Sequence, residues 1–354
     1  MRILVLGATG YVGSRLVPAL LGAGHEVVAA SSSPADPTRF SWGRGVTWRQ
    51  CDVSDERAVG RAVRDAEGVC YLVHALRRRG FSELDRVGAT HVRDAASAAG
   101  VRRLVYLSGL VPRLERGQAL SEHLASRLEV EQILDGTDCP VLTLRAGVVI
   151  GAGSTSYEVV RQLASLLLVQ PVPAWMRTRV QPVAVSDVVR ALVDAYEDAA
   201  PTGAVDLVGP DVLSYPELLA AYARVAGLPR LRLPAPVAPV TLVGLVTAAL
   251  VGAPFWTVTA LVESLRHDMV GRPGHLWVPD SGSMLGVEEA LARSLGQRGP
   301  DVPEAPLAGD PAWTRMRAPV LDELGAPAFV RAGTSLALRR LADVRGVFRN
   351  GVGS

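Results

Sequence analysis

Hydrophobic positions along the chain alternate between two periods. Residues 3–6, 27–30, 46–49, 69–73, 104–107 and 141–146 are short runs, mostly apolar and rich in β-branched side chains and leucine. Such runs predict strands covered on both faces, as in a parallel sheet. Between them the apolar residues fall at helical spacing. Leu16, Val17, Leu20 and Leu21 follow the first run, 56–65 follows the third, and 84–99 follows the fourth and stops at Gly100. Further on, the pattern predicts a helix over 157–169, a break at Pro171 and Pro173, and an extended piece from Gln181. A helix to Glu197 follows, capped by Ser186 or Asp187, then a strand over 204–208 and a helix over 215–226. Strand and helix in strict alternation predict an α/β fold, a doubly wound parallel sheet in the order 3-2-1-4-5-6 or a close variant.

The turn after the first strand reads Gly7-Ala8-Thr9-Gly10-Tyr11-Val12-Gly13. Gly7 permits a tight turn, Gly10 lets a diphosphate approach the backbone, and Gly13 lets the helix pack on the strand. The N–H groups and positive dipole end of that helix are suited to phosphates. Strand, glycine turn and helix together give the context that a dinucleotide fingerprint needs. A structural turn is the plain alternative. Pro18 interrupts the helix and is expected to remove one of its hydrogen bonds.

Composition narrows the rest. The 354 residues are 49% hydrophobic, enough for a large core, and the net charge of +2 gives no general attraction to nucleic acid. All 37 basic residues are arginine; there is no lysine. Cys51, Cys70 and Cys139 form no Cys-x-x-Cys pair and read as small buried thiols in a reducing setting. No secretory signal precedes the first strand, so the expected location is cytoplasmic. Residues 233–262 carry no charge, but Pro234, Pro236, Pro239 and Pro254 divide them. They read as buried helix rather than a membrane span, with peripheral membrane or partner contact left open. Without a His-Glu-x-x-His motif or clustered Cys and His, no metal site is expected.

The GATGYVG turn, Asp52 after the third strand, Tyr106-Leu107-Ser108 at the end of the fifth and LRAGVVIG at 144–151 resemble the extended and atypical short-chain dehydrogenase/reductases. Within them the chain is similar to the branch holding NmrA-like proteins and the dehydrogenase-fold accessory subunit of respiratory complex I. The resemblance covers residues 1–296.

That resemblance implies an NAD(P)-binding domain over 1–150, to which 180–207 return. It also implies a smaller, mostly helical substrate lobe from 151–179 and 208–296; 297–354 lie outside it, with 299–311 reading as a linker from their proline and acidic residues and the rest as a tail. Gly7, Thr9, Gly10, Tyr11, Val12 and Gly13 would hold the diphosphate. No acid stands at Ser31, Ser32 or Ser33, where NAD-selective folds place a carboxylate. With Arg39 or Arg44 nearby this leans towards NADP, NAD remaining open. Asp52, followed by Val53, would accept from the adenine amino group. Val73, His74 and Ala75 end the fourth strand at the crevice, His74 being either near the nicotinamide or a satisfied histidine. Arg77–Arg79 beside it are either a solvated loop or an anion contact.

The family's active pair is Tyr-x-x-x-Lys, and its register falls here on His123 and Arg127. Ser108 takes the place of the serine that bonds a substrate carbonyl, with Gly109 leaving room behind it. Arg127 could still bind the nicotinamide ribose, and His123 could exchange a proton near neutral pH. The alternative is a cofactor that is bound but not turned over. Residues 147–153 would close over the nicotinamide, Asp187 would sit in a hinge tying the lobes together, and Trp175, Phe255 and Trp256 would line a substrate cleft. The expectation is therefore an NAD(P)-dependent oxidoreductase acting on a small apolar carbonyl, enone or quinone. Its rivals are a non-catalytic NADP(H) sensor or assembly factor and, behind that, an epimerase or dehydratase. A homodimer is allowed.

Overall fold

The computed structural model describes residues 1–76, 80–112, 119–166, 169–234, 239–240, 243, 247, 255–280, 282–299 and 302–315. Six strands, β1 (Arg2–Leu6), β2 (Glu26–Ser31), β3 (Thr47–Gln50), β4 (Gly68–Tyr71), β5 (Arg103–Gly109) and β6 (Val141–Ala146), join with Gly203–Leu207 in one sheet. From one edge the order is Gly203–Leu207, β6, β5, β4, β1, β2, β3, every pair parallel. This is the expected doubly wound order with a seventh strand added beside the sixth. Alternation along β1 shows why it is apolar throughout. Ile3 and Val5 enter the core under helices α1 (Gly13–Gly22) and α6 (Val185–Asp194), while Leu4 and Leu6 enter the opposite core. That second core packs under α2 (Glu56–Val63), α3 (Phe81–Ala99) and α4 (Glu122–Leu134).

Pro18 stays inside α1 without breaking it. A proline N cannot donate to the carbonyl four residues back, and the indole N–H of Trp42 donates to that Ser14 carbonyl at 3.0 Å instead.

Helices α5 (Thr155–Leu166), α7 (Tyr215–Val225) and Val287–Ser294 form a third apolar core beyond the carboxyl edge of the sheet. Helix α5 stops short of the predicted 169, because Val169–Val172 instead pair in parallel with Leu231–Pro234. Helix α6 starts after Ala184, so Ser186 and Asp187 lie in its first turn rather than capping it. Asp187 accepts from Arg190 and from the Leu285 amide, tying 285 to the sheet domain.

Residues 302–315, read above as linker and tail, pack on the body. Glu304, Ala305 and Asp310 are buried. The cause is Arg15, in the first turn of α1, whose guanidinium donates to the carbonyls of Tyr11, Ala152, Pro303 and Ala305 and to both oxygens of Asp310. A buried cation requires that many acceptors, and the strap supplies three of the five groups.

Arg77–Arg79, the tail beyond 315 and most of the uncharged 233–254 stretch lie outside the described residues, as do the side chains of Phe255 and Trp256. Among the described residues no helix is long and apolar enough to cross a membrane, and no three metal-ligating side chains cluster. Cys51 and Cys70 are buried free thiols, pushed up by burial to about 11 and about 12.

Candidate functional site

A single cavity of about 690 Å³ runs from the glycine turn, past the carboxyl ends of β4, β5 and β6, into the helical lobe. Gly7, Gly10, Tyr11, Val12 and Gly13 form one end. Gly7 takes φ +90, a left-handed conformation that suits glycine. A Cβ on Gly13 would lie 2.3 Å from the Gly7 carbonyl oxygen, so only glycine lets α1 start so close to β1. Gly10 is exposed, and a Cβ there would meet only the Gly7 oxygen, at 3.1 Å. Its open face and the absence of any acid in the first turn of α1 leave a cradle for a diphosphate. The Tyr11 ring reaches across to Gly151, where an added Cβ would meet its hydroxyl, and so joins the turn to the loop after β6.

The residues expected to meet the adenosine, Ser31, Ser32, Arg39, Asp52, Val53 and Val73, lie outside the cavity wall. Ser31 Oγ accepts from the Ser33 amide at 3.2 Å and from Thr9 Oγ1 at 3.5 Å; Ser32 is exposed. Asp52 Oδ1 accepts from the amide and hydroxyl of Ser54. Val53 and Val73 pack on the core beneath α3, and the Val53 carbonyl meets His91. Arg39 donates to the Gly309 carbonyl and stacks over Phe40, so the strap already engages it.

The other end of the cavity gathers Ser108, His74, His123 and Arg127 on one wall. Four residues separate His123 from Arg127, which puts both on the same face of α4. Arg127 Nη1 donates to the Leu107 carbonyl at 2.9 Å, and its stem fills the space beside Gly109. The room expected behind Ser108 for a ligand is thus taken by arginine. Ser108 Oγ is buried without a well-formed hydrogen bond, although it lies close enough to lower the neighbouring Tyr106 hydroxyl against the upward push of burial.

His74 is held by Asp85, which the sequence reading passed over. Its Nδ1 lies 2.5 Å from Asp85 Oδ2, and Asp85 Oδ1 accepts from the Ala75 amide at 2.7 Å. Ser126 Oγ donates to the same carboxylate at 3.1 Å. His74 Nε2 stands 3.1 Å from His123 Nδ1. Burial, then the Arg127 charge, lower His74, while Asp85 pulls the other way. His123 is lowered well below the ordinary histidine value by burial, by Arg127 and by His74. The signal for Asp85 was its register: Phe81, Asp85, Ala89, Val92 and Ala96 all face inward along α3. An acid in an apolar stripe needs buried donors.

Beyond these polar groups the wall is mainly apolar, with Leu124, Val148, Leu163, Trp175, Tyr215 and Met269 among its residues. Ser154, Thr155, Ser156, Gln170, Thr247, Thr257 and Ser264 are polar exceptions.

Fold and site together define a dinucleotide-binding protein of the doubly wound class, and comparison with known proteins agrees. The NAD(P)H-binding family profile matches residues 7–170. A Streptomyces protein named 3-diazoavenalumate denitrifying reductase is 32% identical over 272 residues, covering 68% of this chain and 86% of its own. A Mycobacterium tuberculosis protein of unassigned role is 30% identical over 230 residues; the chain spans only 23% of that longer relative. Among solved structures, the NAD complex of Thermus thermophilus UDP-glucose 4-epimerase superposes with a TM-score of 0.54 at 22% identity, over 75% of this chain and 99% of that one, a likeness of fold. The chain belongs to the NAD(P)H-binding family that this profile and the reductase relative mark out, and it shares the fold of the NAD-bound epimerase.

Proposed function

We propose that the protein moves hydride between a nicotinamide cofactor and an apolar carbonyl, enone or quinone, with NADP favoured over NAD. The observation that carries this reading is the cavity: one continuous, mainly apolar space that joins the glycine turn to Ser108 and His123. Two features support a cofactor here: Gly10 offers an open face, and the buried Ser108 hydroxyl makes no well-formed hydrogen bond, which a bound group would supply. When bound, the nicotinamide supplies or accepts the hydride. Ser108 then donates a hydrogen bond to the substrate oxygen, Arg127 turns its remaining N–H groups to ribose hydroxyls, and His123 exchanges a proton with that oxygen. Apolar walls favour an apolar substrate because burying a sugar's hydroxyls there would leave them unpaired. The reductase name of the Streptomyces relative supports the direction of reduction. The lack of a carboxylate at Ser31–Ser33 supports NADP.

A second reading, an NADP(H)-binding sensor without turnover, is favoured by the absence of lysine and by the bond that already ties Arg127 to Leu107. Steady-state assays with NADPH and a panel of quinones, enones and aromatic aldehydes separate the two. Turnover above the uncatalysed rate supports the enzyme; tight NADPH binding with no turnover across the panel supports the sensor.

A further inference from the structure

We infer that Asp85 and His74 are positioning residues for His123, the three forming a relay in which the transferred proton's charge rests on His74 while His123 Nε2 meets the substrate. This rests on the hydride-transfer reading for its use, but the relay itself is a property of the folded chain.

The hydrogen-bond inventory fixes the arrangement. A carboxylate only accepts, so His74 Nδ1, at 2.5 Å from Asp85 Oδ2, carries a proton. With His74 neutral its Nε2 is an acceptor, and the 3.1 Å contact to His123 Nδ1 requires the proton on His123. The remaining nitrogen, His123 Nε2, is then a lone pair on a residue that lines the cavity. The edge of Phe81 lies against the His74 ring with centroids 5.9 Å apart, and the Ala75 amide and Ser126 hydroxyl hold the carboxylate. Both imidazoles are therefore kept in register.

One added proton changes the picture in a defined way. It enters at His123 Nε2, the Nδ1 proton passes to His74 Nε2, and the positive charge comes to rest on His74 beside Asp85. Left on His123, the same charge would face Arg127 and the second imidazole with no carboxylate opposite among the described residues, as the strong lowering of that residue reflects. In the reducing direction the order reverses. The Nε2 proton goes to the substrate oxygen, His123 Nδ1 takes the proton from His74 Nε2, and His74 returns to neutral. One proton leaves and no atom is left over; solvent restores it at His123 Nε2 after product departs. The described charged and titratable groups acting on the pair are Asp85 from α3, Arg127 from α4 and each imidazole on the other.

The test is nitrogen-detected histidine NMR on the full chain with ¹⁵N-labelled imidazoles, in wild type, Asp85→Asn and His74→Gln. Spectra are taken without ligand and with NADP⁺. Expected at neutral pH are two neutral rings, each protonated at Nδ1, with the first protonation on acidification appearing on His74. Asp85→Asn is expected to shift that step downward by about one pH unit or more, and His74→Gln to release His123 from its Nδ1–H tautomer. A first proton that lands on His123, or titrations that Asp85→Asn does not move, overturn the relay. So does a neutral His123 protonated at Nε2. If Asp85→Asn does not fold, the wild-type tautomers and order of protonation decide alone. Because these readouts need no substrate, a relay seen by NMR with no turnover on any carbonyl or quinone rejects the hydride-transfer reading and leaves the relay standing. Where turnover is found, Asp85→Asn moves to lower pH the limb on which reductive kcat falls as pH rises, without changing the Kd for NADPH. A purely structural role would lower the melting temperature and leave that limb in place.

Discussion

Arg15 and Asp310 lie 295 positions apart in sequence and form a two-bonded ion pair at 2.9 Å, their side chains 1% and 2% exposed. The pair fastens residues 302–315 against the first turn of α1, next to the cradle for the diphosphate. Removing one partner leaves the other charge buried and unpaired, so Asp310→Ala or Arg15→Ala should cost about 3–5 kcal/mol. The double variant Arg15→Met, Asp310→Leu should recover part of that loss. Urea denaturation followed by circular dichroism measures it; single variants within about 1 kcal/mol of wild type, the scale of an exposed pair, would show that the strap is not clamped.

Ser108→Ala separates catalysis from stability. Its Oγ is buried with no well-formed partner, so the folded state loses little when the hydroxyl goes. The melting temperature should stay level or rise slightly. Turnover should fall by about 10²-fold, the usual effect of losing one donor to a developing oxyanion. A variant that melts early while keeping full activity would assign Ser108 a structural role.

Gly10 and Gly13 should fail differently. Gly13→Ala places a methyl 2.3 Å from the Gly7 oxygen, which forces α1 away from β1 and lowers both stability and cofactor binding. Gly10→Ala meets one atom at 3.1 Å and otherwise projects into the open cradle. It should fold nearly as well as wild type yet bind NADPH at least about 10-fold more weakly, about 1.4 kcal/mol. Differential scanning fluorimetry with calorimetric titration tells the two apart; equal NADPH affinity for Gly10→Ala and wild type would place the diphosphate elsewhere.

Histidine burial sets a pH trend in stability. His74, His123, His25 and His267 are all lowered in the fold, each chiefly by burial. The unfolded chain, with ordinary histidines near about 6.5, then takes up protons first as pH falls. Stability is full above that value and is lost on going from about pH 7 towards about 5.5. Glu158 and Asp187, raised by burial, act oppositely but lower, in the carboxylate range. The melting temperature should fall across that window, and less steeply in the double variant His74→Gln, His123→Gln. Parallel slopes would mean that the two imidazoles titrate alike in both states.

The same lowering shapes turnover. On the proposed reading a proton has to be on the relay before a carbonyl is reduced, and burial with Arg127 lowers both imidazoles and so opposes it. Reductive kcat/KM should therefore climb as pH drops through a value below about 6.5, and the oxidative reaction should climb in the opposite sense. His123→Ala should reduce kcat by about 10²–10⁴-fold with NADPH affinity unchanged.

Much of the fold could be read along the chain because it is local. Doubly buried strands announce themselves as apolar runs, and the turn at Gly7–Gly13 needs glycine where backbones touch. The family resemblance, not the pattern alone, singled out His123 and Arg127, and the structure places them one helical turn apart on α4. Partnerships across the chain left no such trace. Asp85 looks like any acid in an amphipathic helix until His74 and Ser126 are seen around it. Residues 302–315 have linker composition, and only the buried Arg15 makes them structure. The fate of Pro18 likewise depended on Trp42, a residue in another loop.

The central claim is that a nicotinamide held by the glycine turn works on an apolar substrate beside Ser108 and His123. Its most direct measurement is the rate of NADPH oxidation by the purified chain against a panel of quinones, enones and aromatic aldehydes, with Gly10→Ala and His123→Ala alongside. Oxidation that requires protein, saturates with an apolar acceptor and collapses in both variants is the predicted result. Wild-type rates no higher than those of either variant, across the whole panel, would contradict it.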